Sequence, residues 1–284
     1  MQLYDHSVQK ENCGFGLIAH THGETSHKLI KTAISALDRM QHRGGIAADG
    51  KTGDGCGLLL QKPDSFFRSI AQDNNWKLGK KYAVGMMFLS KDPVESALSK
   101  KILEEELSSE SLTVVGWRVV PIDTSVLGDA ALGNLPSIEQ IFVNAPPGWR
   151  NRDLERRLYM ARRRAEKRIT DDVFYAASLS CLVTIYKGLM MPIDLPNFYL
   201  DLADIRMQSA ICVFHQRFST NTSPQWFLAQ PFRYLAHNGE INTINGNRQW
   251  SRARSHQFKS PLLPVDHWSL QHLLGHPMVP CALN

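Results

Sequence analysis

The feature that most limits the fold of this chain is a series of short, strand-like stretches with little sequence between them. Apolar and β-branched residues are concentrated in residues 81–90, 112–120, 138–144, 173–180 and 182–188. Many consecutive stretches are separated by fewer residues than a helical crossover between parallel strands requires, so antiparallel pairing is expected. The sequence therefore predicts an α+β fold in which layered sheets are covered by helices.

The same pattern predicts the other elements of this layered fold. Ser26 has the chemistry of a helix N-cap, and the glycines at 44 and 45 are a plausible stop for the helix that follows it. The remaining predicted strands are residues 14–19, a stretch that ends at residue 61 after a glycine-rich turn, 209–219 and 232–241. The predicted helices are residues 27–40, 92–107, 151–169, 195–204 and 242–256.

Length and composition exclude several classes of protein. The chain has 284 residues, enough to bury the core of one large domain or two small ones. Its 43% hydrophobic and 21% charged residues are ordinary for a globular protein. No apolar stretch approaches the ~20 residues of a membrane helix, and the first residues lack the pattern of a secretion signal. A cytoplasmic protein that is not bound to a membrane is expected.

The cysteines argue against disulfides and zinc. They are odd in number, widely spaced and contain no CxxC pair, which fits a reducing compartment and predicts no metal site. They are Cys13, Cys56, Cys181, Cys212 and Cys281. Considered alone, Cys13 is better interpreted as a small buried hydrophobe than as a nucleophile.

The net charge of +5 comes mainly from residues 149–169, which include the helix predicted at 151–169. Leu154, Leu158, Ala161 and Ala165 recur at helical spacing, which predicts an amphipathic helix with a basic outer face. No nucleic-acid-binding motif accompanies this stretch, so a solvated face is favoured over nucleic-acid binding.

Two polar clusters follow predicted strands and could carry chemistry. In one, the Asn238 amide and the Gly239 N–H suit an oxyanion hole, although the pair also fits an ordinary Asn-Gly turn. In the other, Arg217 has a guanidinium that matches a carboxylate, and Ser219 and Thr220 could complete such a site. Arg217 could equally be a surface arginine in an ion pair at a sheet edge.

The neighbouring polar residues are also open to two interpretations. His215 suits a structural role as well as a functional one. Arg43 could be the charge that follows the C-terminus of the helix at 27–40. Asp54 and Cys56 are better interpreted as turn and core residues than as catalytic ones.

Four stretches, taken in order, resemble the class II glutamine amidotransferase (glutaminase) domain of the large subunit of bacterial glutamate synthase. The resemblance extends from about residue 3 to residue 264. The stretches are CGFGLIAH, MQHRGGIAADGKTGDGCGLLLQ, FHQRFSTNT and YLAHNGEINTINGNRQW.

The resemblance implies an N-terminal-nucleophile hydrolase with an αββα sandwich and gives the polar residues their roles. Residues 1–12 would be a propeptide, and residues 13–264 the amidotransferase domain. Cys13, once first in the chain, would attack glutamine with its own amine as base, and Asn238 and Gly239 would stabilise the oxyanion. Arg217, Ser219 and Thr220 would bind the substrate carboxylate, and Arg43 would support the site around Cys13.

The resemblance also implies partners that belong to a longer enzyme. In that enzyme, ammonia passes to a synthase domain that uses FMN and a 3Fe-4S cluster, with electrons from NADPH through a small subunit. No cofactor is expected in this chain, and glutamine is its expected substrate.

Residues 265–284 do not match what the family shows after the SPLLP stretch. The expectation is an atypical tail, possibly out of frame, on an incomplete sandwich. An incomplete sheet exposes an unpaired edge, so a poorly folding, inactive fragment is the alternative to an active glutaminase. Nucleic-acid binding through residues 149–169 is a more distant alternative.

Overall fold

Eight strands form two four-stranded sheets in the part of the chain that this computed structural model describes, residues 14–217, 223–232, 244–254 and 257. In the first sheet the strand order is β1, β8, β2, β7, and in the second it is β4, β5, β3, β6. The strands are β1 Phe15–Ala19, β2 Cys56–Gln61, β3 Tyr82–Leu89, β4 Thr113–Val119, β5 Ser137–Asn144, β6 Tyr175–Ser180, β7 Val183–Gly188 and β8 Ile211–Gln216.

All neighbouring strands in both sheets are antiparallel. This confirms the predicted α+β class and the antiparallel pairing, and it matches a sandwich of sheets and helices. The eight strands lie where the sequence predicts them. The ninth predicted strand, 232–241, lies outside the described residues from position 233 onward.

Seven α-helices accompany the sheets in the described residues. Ser26 caps α1, because its Oγ accepts a hydrogen bond from the Leu29 N–H at 3.2 Å. This confirms the predicted cap, but α1 ends at Asp38, well before the glycines at 44 and 45. The helices are α1 His27–Asp38, α2 Asp64–Asp73, α3 Pro93–Ser109, α4 Asp129–Gly133, α5 Asn151–Arg168, α6 Leu195–Phe198 and α7 Ile244–Arg254.

Three helical regions differ from the prediction. Two helices were not predicted: the short α4 and α2, which buries Phe66, Phe67 and Ile70. The helix predicted at 195–204 is broken into the single turn of α6 and a 3-10 helix, Leu200–Ala203. The break occurs because Tyr199 is extended and forms a bridge with Ile122.

The core consists of two hydrophobic clusters. The larger one joins residues of both sheets, such as Leu58 of β2 and Phe142 of β5, with the buried faces of α1 and α2. The smaller one lies between the second sheet and the helices α3 and α5, and includes Leu107 and Leu158. The second sheet is therefore covered by packed side chains on both faces.

The basic helix α5 is not a plain solvated face, which corrects the expectation. Its arginines are paired with glutamates of α3 and the residues that follow: Arg157 and Arg164 with Glu110, and Arg164 and Arg168 with Glu106. These ion pairs neutralise much of the charge that a nucleic acid would need. None of the described helices is long and apolar enough to cross a membrane.

Candidate active site

The main chain next to Cys13 is anchored at the end of β8. The Gln216 N–H donates a hydrogen bond of 2.6 Å to the carbonyl oxygen of Gly14, which extends the β1–β8 ladder by one residue. Gly14 is buried. Because Gly14 directly follows Cys13 in the sequence, the strand pairing places the residue after Cys13 next to Gln216, the neighbour of Arg217.

Arg217 itself is held in place at this end of the sheet. Its N–H donates to the Gly55 carbonyl at 2.8 Å, and its Nη1 donates to the Asp54 carbonyl at 3.2 Å. Only 8% of Arg217 is exposed, so the alternative of a surface arginine is wrong. A buried guanidinium held by the Asp54 carbonyl, on a main chain held by the Gly55 carbonyl, is suited to bind a carboxylate.

The loop that carries Arg43 lies at the same end of β8 as Gln216 and Arg217. Arg43 ends a 3-10 helix, Gln41–Arg43, so it is not the C-terminal charge of α1. A Cβ on the next residue, Gly44, would lie 1.7 Å from Nε2 of Gln216, which shows how closely this loop approaches β8. Asp54 secures the loop, because its carboxylate accepts a hydrogen bond from the Gly45 N–H at 3.2 Å.

The described cysteines are core residues. Cys56, Cys181 and Cys212 are buried. Burial raises the pKa of the Cys56 thiol, with a further contribution from Asp194, and burial also raises the pKa of the other two thiols. A buried thiol that stays protonated is a poor nucleophile, so none of these three suits that role. The core interpretation of Cys56 and the turn interpretation of Asp54 agree with the structure.

A row of side chains crosses the first sheet behind this site. Phe15, His215, Gly57 and Lys187 are register partners on four adjacent strands. His215 and Lys187 are fully buried, and Lys187 Nζ donates to the carbonyls of Phe227 and Ala229 at 2.9 and 2.7 Å. The sequence analysis did not single out Lys187, although a lysine inside a strand that is otherwise apolar was a usable signal.

The other predicted site residues lie outside the described part of the chain. They are Cys13, Ser219, Thr220, Asn238 and Gly239. The structure therefore brings together Arg43, Arg217 and the residue that follows Cys13, and it carries no test of the remaining roles. Within the described residues, no group of three His, Cys, Asp or Glu side chains could hold a metal ion.

Comparison with known proteins decides the family. The family model described as class-II glutamine amidotransferases matches residues 13–276 of this chain. The chain belongs to the class II glutamine amidotransferases. Its match begins at Cys13, and it covers both arginines of the candidate site together with Asn238 and Gly239.

The relatives with the most informative names are glutamate synthases. The amidotransferase is 42% identical over 267 residues to "Ferredoxin-dependent glutamate synthase 2" of Synechocystis sp., which covers 93% of this chain. It is 42% identical over 261 residues, 91% of the chain, to "Glutamate synthase [NADPH] large chain" of Bacillus subtilis. It is 39% identical over 265 residues, 89% of the chain, to "Glutamate synthase [NADH]" of Saccharomyces cerevisiae.

The amidotransferase spans only a small part of these relatives. The aligned region is 17% of the length of the first two and 12% of the third. The three names also give three different electron donors. The similarity of this region therefore carries no information about which donor a longer enzyme would use.

Proposed function

We propose that this chain hydrolyses the side-chain amide of glutamine to glutamate and ammonia, as the glutaminase part of a glutamate synthase large chain. The observation that carries the proposal is the meeting of three features at one end of the first sheet. Gly14, the residue after Cys13, is bound to β8, and Arg217 and the loop of Arg43 lie at the same end. Family membership supplies the reaction class.

Removal of residues 1–12 would make Cys13 the nucleophile. A free α-amino group has a pKa near 8, so about a tenth of it or more is unprotonated at neutral pH and can accept the thiol proton. The thiolate then attacks the amide carbon of glutamine, and the amide oxygen becomes an oxyanion. An amide nitrogen inside a peptide bond cannot act as this base, so the propeptide must leave first.

The remaining steps follow from the chemistry of a thioester. The Asn238 amide and the Gly239 N–H stabilise the oxyanion, the nitrogen takes up a proton, and ammonia leaves. Water then hydrolyses the thioester, which gives glutamate and restores the thiol. Each oxyanion donor is expected to contribute about 3 kcal/mol to lowering the barrier.

Substrate recognition is assigned to the part of the site that contains Arg217 and Arg43. Arg217, with Ser219 and Thr220, binds the α-carboxylate of glutamine, and Arg43 supports the segment around Cys13. The burial of Arg217 and the hydrogen bond from its Nη1 to the Asp54 carbonyl support this role, because they restrict the direction of the guanidinium.

The wider role is the supply of ammonia for glutamate biosynthesis and ammonia assimilation in the cytoplasm. FMN, a 3Fe-4S cluster and electrons from NADPH through a small subunit would belong to the rest of a full-length enzyme. The described cysteines are single buried residues that offer no cluster ligand set, so we assign no cofactor to this part of the chain.

No observation favours the other functions. Arg164 and Arg168 of α5 are paired with Glu106 of α3, and Arg164 also with Glu110, which neutralises much of the charge behind the nucleic-acid alternative. An inactive fragment, a propeptide at 1–12 and an atypical tail at 265–284 remain predictions. Reading the encoding DNA in all frames tests the tail.

The proposed function is tested by mass spectrometry and an ammonia assay on the purified chain. We expect a chain that begins at Cys13 and releases ammonia from glutamine, and we expect Cys13→Ala to abolish release without unfolding the protein. Cys181→Ala is the control for loss of a cysteine outside the site, because Cys181 lies in the smaller core cluster, and it should keep its activity in the folded fraction. A mature chain whose ammonia release survives Cys13→Ala would overturn the proposal.

A further inference from the structure

Asp54 contacts both parts of the candidate site that carry an arginine, although the proposed reaction gives it no role. Its main-chain carbonyl accepts a hydrogen bond from Nη1 of Arg217 at 3.2 Å. Its carboxylate, through Oδ2, accepts one at 3.2 Å from the N–H of Gly45, in the loop that carries Arg43. One residue therefore connects the guanidinium proposed to bind the substrate with the loop of the second arginine.

The main chain of this loop packs tightly against two polar side chains. A Cβ on Gly44 would lie 1.7 Å from Nε2 of Gln216. A Cβ on Gly45 would lie 2.6 Å from Oδ2 of Asp54, and the next two nearest atoms belong to the same carboxylate. Because both positions lack a side chain, the loop can lie directly against the Gln216 carboxamide and the Asp54 carboxylate.

The turn around Asp54 has main-chain contacts that do not depend on its side chain. The Asp54 N–H donates to the Gly45 carbonyl at 3.1 Å, and Ile46 and Gly53 form an antiparallel bridge. The carboxylate adds a second connection between residues 45 and 54. Removing the carboxylate should therefore loosen this pair of residues without unfolding the turn.

The second connection matters because Arg217 has a long and flexible side chain. A guanidinium that is already held in one direction loses less conformational entropy when it binds a carboxylate. The Asp54 carbonyl is a contact that holds it, and the direction of that carbonyl depends on how residue 54 is fixed. The hydrogen bond between Gly45 and the Asp54 carboxylate therefore affects the alignment of the Arg217 guanidinium.

We propose that Asp54 is a positioning residue for glutamine recognition, which binds Gly45 through its carboxylate and thereby holds Arg217, through its carbonyl, in place for the substrate carboxylate. The proposal rests on the proposed function, in which Arg217 binds the α-carboxylate of glutamine. That carboxylate lies at the other end of the substrate from the amide that reacts. Weaker binding of the carboxylate should therefore raise KM more than it lowers kcat.

The test compares Asp54→Ala with Asp54→Asn. Alanine removes the acceptor for the Gly45 N–H, whereas asparagine keeps an oxygen of the same reach. Asp171→Ala is the matched control, because Asp171 is also a partly buried turn aspartate, and its carboxylate accepts a hydrogen bond from the Val173 N–H at 2.9 Å. All variants are measured as mature chains, with rates normalised to the fraction of thiol that a glutamine analogue alkylates.

We expect Asp54→Ala to raise KM for glutamine by about five- to tenfold, because a misaligned guanidinium loses part of its charge-assisted hydrogen bonds to the substrate. The change in kcat should be smaller. Asp54→Asn should recover most of the loss, and Asp171→Ala should change neither constant. Hydrogen exchange in peptides that cover residues 41–55 should be faster in Asp54→Ala than in Asp54→Asn. This last measurement does not depend on activity.

Gly45→Ala tests the same contact from the other side. The φ angle of Gly45 lies outside the left-handed region, so the added methyl group acts through its clash with the Asp54 carboxylate. We expect Gly45→Ala to raise KM as well. The double variant with Asp54→Ala should be no worse than the poorer single variant, because loss of the carboxylate relieves the clash. Effects on KM that multiply in the double variant would overturn the proposal.

The outcomes separate the two proposals. A wild-type chain without ammonia release that depends on Cys13 overturns the proposed function, and hydrogen exchange alone then decides whether Asp54 holds the loop. An active wild type with equal KM in Asp54→Ala and Asp171→Ala overturns the positioning role. An Asp54→Asn variant as impaired as Asp54→Ala would also overturn it, because the hydrogen bond to Gly45 would then not be the cause.

Discussion

At the scale of single residues, Gly57 leaves the space in the sheet that the Gln230 main chain approaches. It stands between His215 and Lys187 in the register of three strands. A Cβ there would lie 2.5 Å from the Lys187 Cβ and 2.7 Å from the Tyr186 carbonyl oxygen, in addition to its contact with Gln230. Two of these three neighbours are backbone atoms, so the clash cannot be relieved by a side-chain rotation.

We therefore expect Gly57→Ala to lower stability by about 1 to 3 kcal/mol, the usual range for overpacking a core. Urea unfolding measures the effect. Gly133→Ala is the matched control, since nothing lies within 4 Å of its added Cβ. Equal behaviour of the two variants would refute the prediction.

The residues of the site show what a sequence can and cannot predict. Arg217 and Arg43 were identifiable because each is a polar residue next to an apolar strand or helix. Gln216 and the buried Lys187 were missed. Gln216 meets Gly14 and Gly44, and Lys187 meets the carbonyls of Phe227 and Ala229. Such contacts join residues far apart in the chain, and hydrophobic periodicity does not report them.

At the scale of elements, α3 and α5 are held together by a network of ion pairs above the smaller core cluster. Glu106 lies at its centre and accepts hydrogen bonds of 2.6 Å from Arg164 and 2.7 Å from Arg168. Burial acts to raise the pKa of Glu106, but the hydrogen bonds and charges of the two arginines outweigh it and lower the pKa below its ordinary value.

The lowered pKa gives a pH dependence with a definite sign. The carboxylate of Glu106 stabilises the folded chain above the pKa of the unfolded state, and this contribution disappears as the pH falls through the lower folded pKa. Glu106→Gln should therefore cost about 1 to 2 kcal/mol at pH 7, and the difference from wild type should vanish in acid.

Urea unfolding at several pH values measures this difference. Glu105→Gln is the control, because Glu105 and its partner Arg168 are each 45% exposed and such pairs contribute little. A Glu106→Gln penalty that does not change with pH would contradict the ion-pair origin.

The elements themselves were largely predictable, and their exceptions have physical causes. The strands were found because an apolar pattern bounded by turns is local information. The missed helix α2 places Phe66, Phe67 and Ile70 on one face, a helical spacing that was present in the sequence. The break at Tyr199 was not predictable, because it depends on a bridge to Ile122, far away in the chain.

At the scale of the whole molecule, a buried polar network connects the two sheets. Arg118 of β4 donates to both carboxylate oxygens of Asp201, at 2.6 and 2.8 Å, and to the side chain of Gln140 on β5 at 2.8 Å. Tyr186 of β7 in the other sheet donates to Asp201 at 3.0 Å. The carboxylate of Asp201 is thus the common acceptor between the sheets, and it is 3% exposed.

Removing one partner of this network should lower the stability of the fold more than removing both members of the charge pair. Arg118→Met leaves a buried carboxylate without its cation and should cost about 3 to 5 kcal/mol. The double variant Arg118→Met with Asp201→Asn should recover much of that loss. Urea unfolding of the two variants tests the prediction, and a double variant less stable than the single one would contradict it.

The pairing of β1 with β8 has a consequence for the order of events during synthesis. Among the described strands, β1 is at the edge of its sheet and pairs only with β8, and Gly14 and Gln216 are about two hundred residues apart. A ribosome must therefore complete most of this region before the residue after Cys13 can dock. Contacts of such long range form late and slowly. If Cys13 needs the pairing of β1 with β8 in order to react, the nascent chain cannot hydrolyse glutamine before β8 has been synthesised. The strand order of the first sheet then determines when hydrolysis can begin.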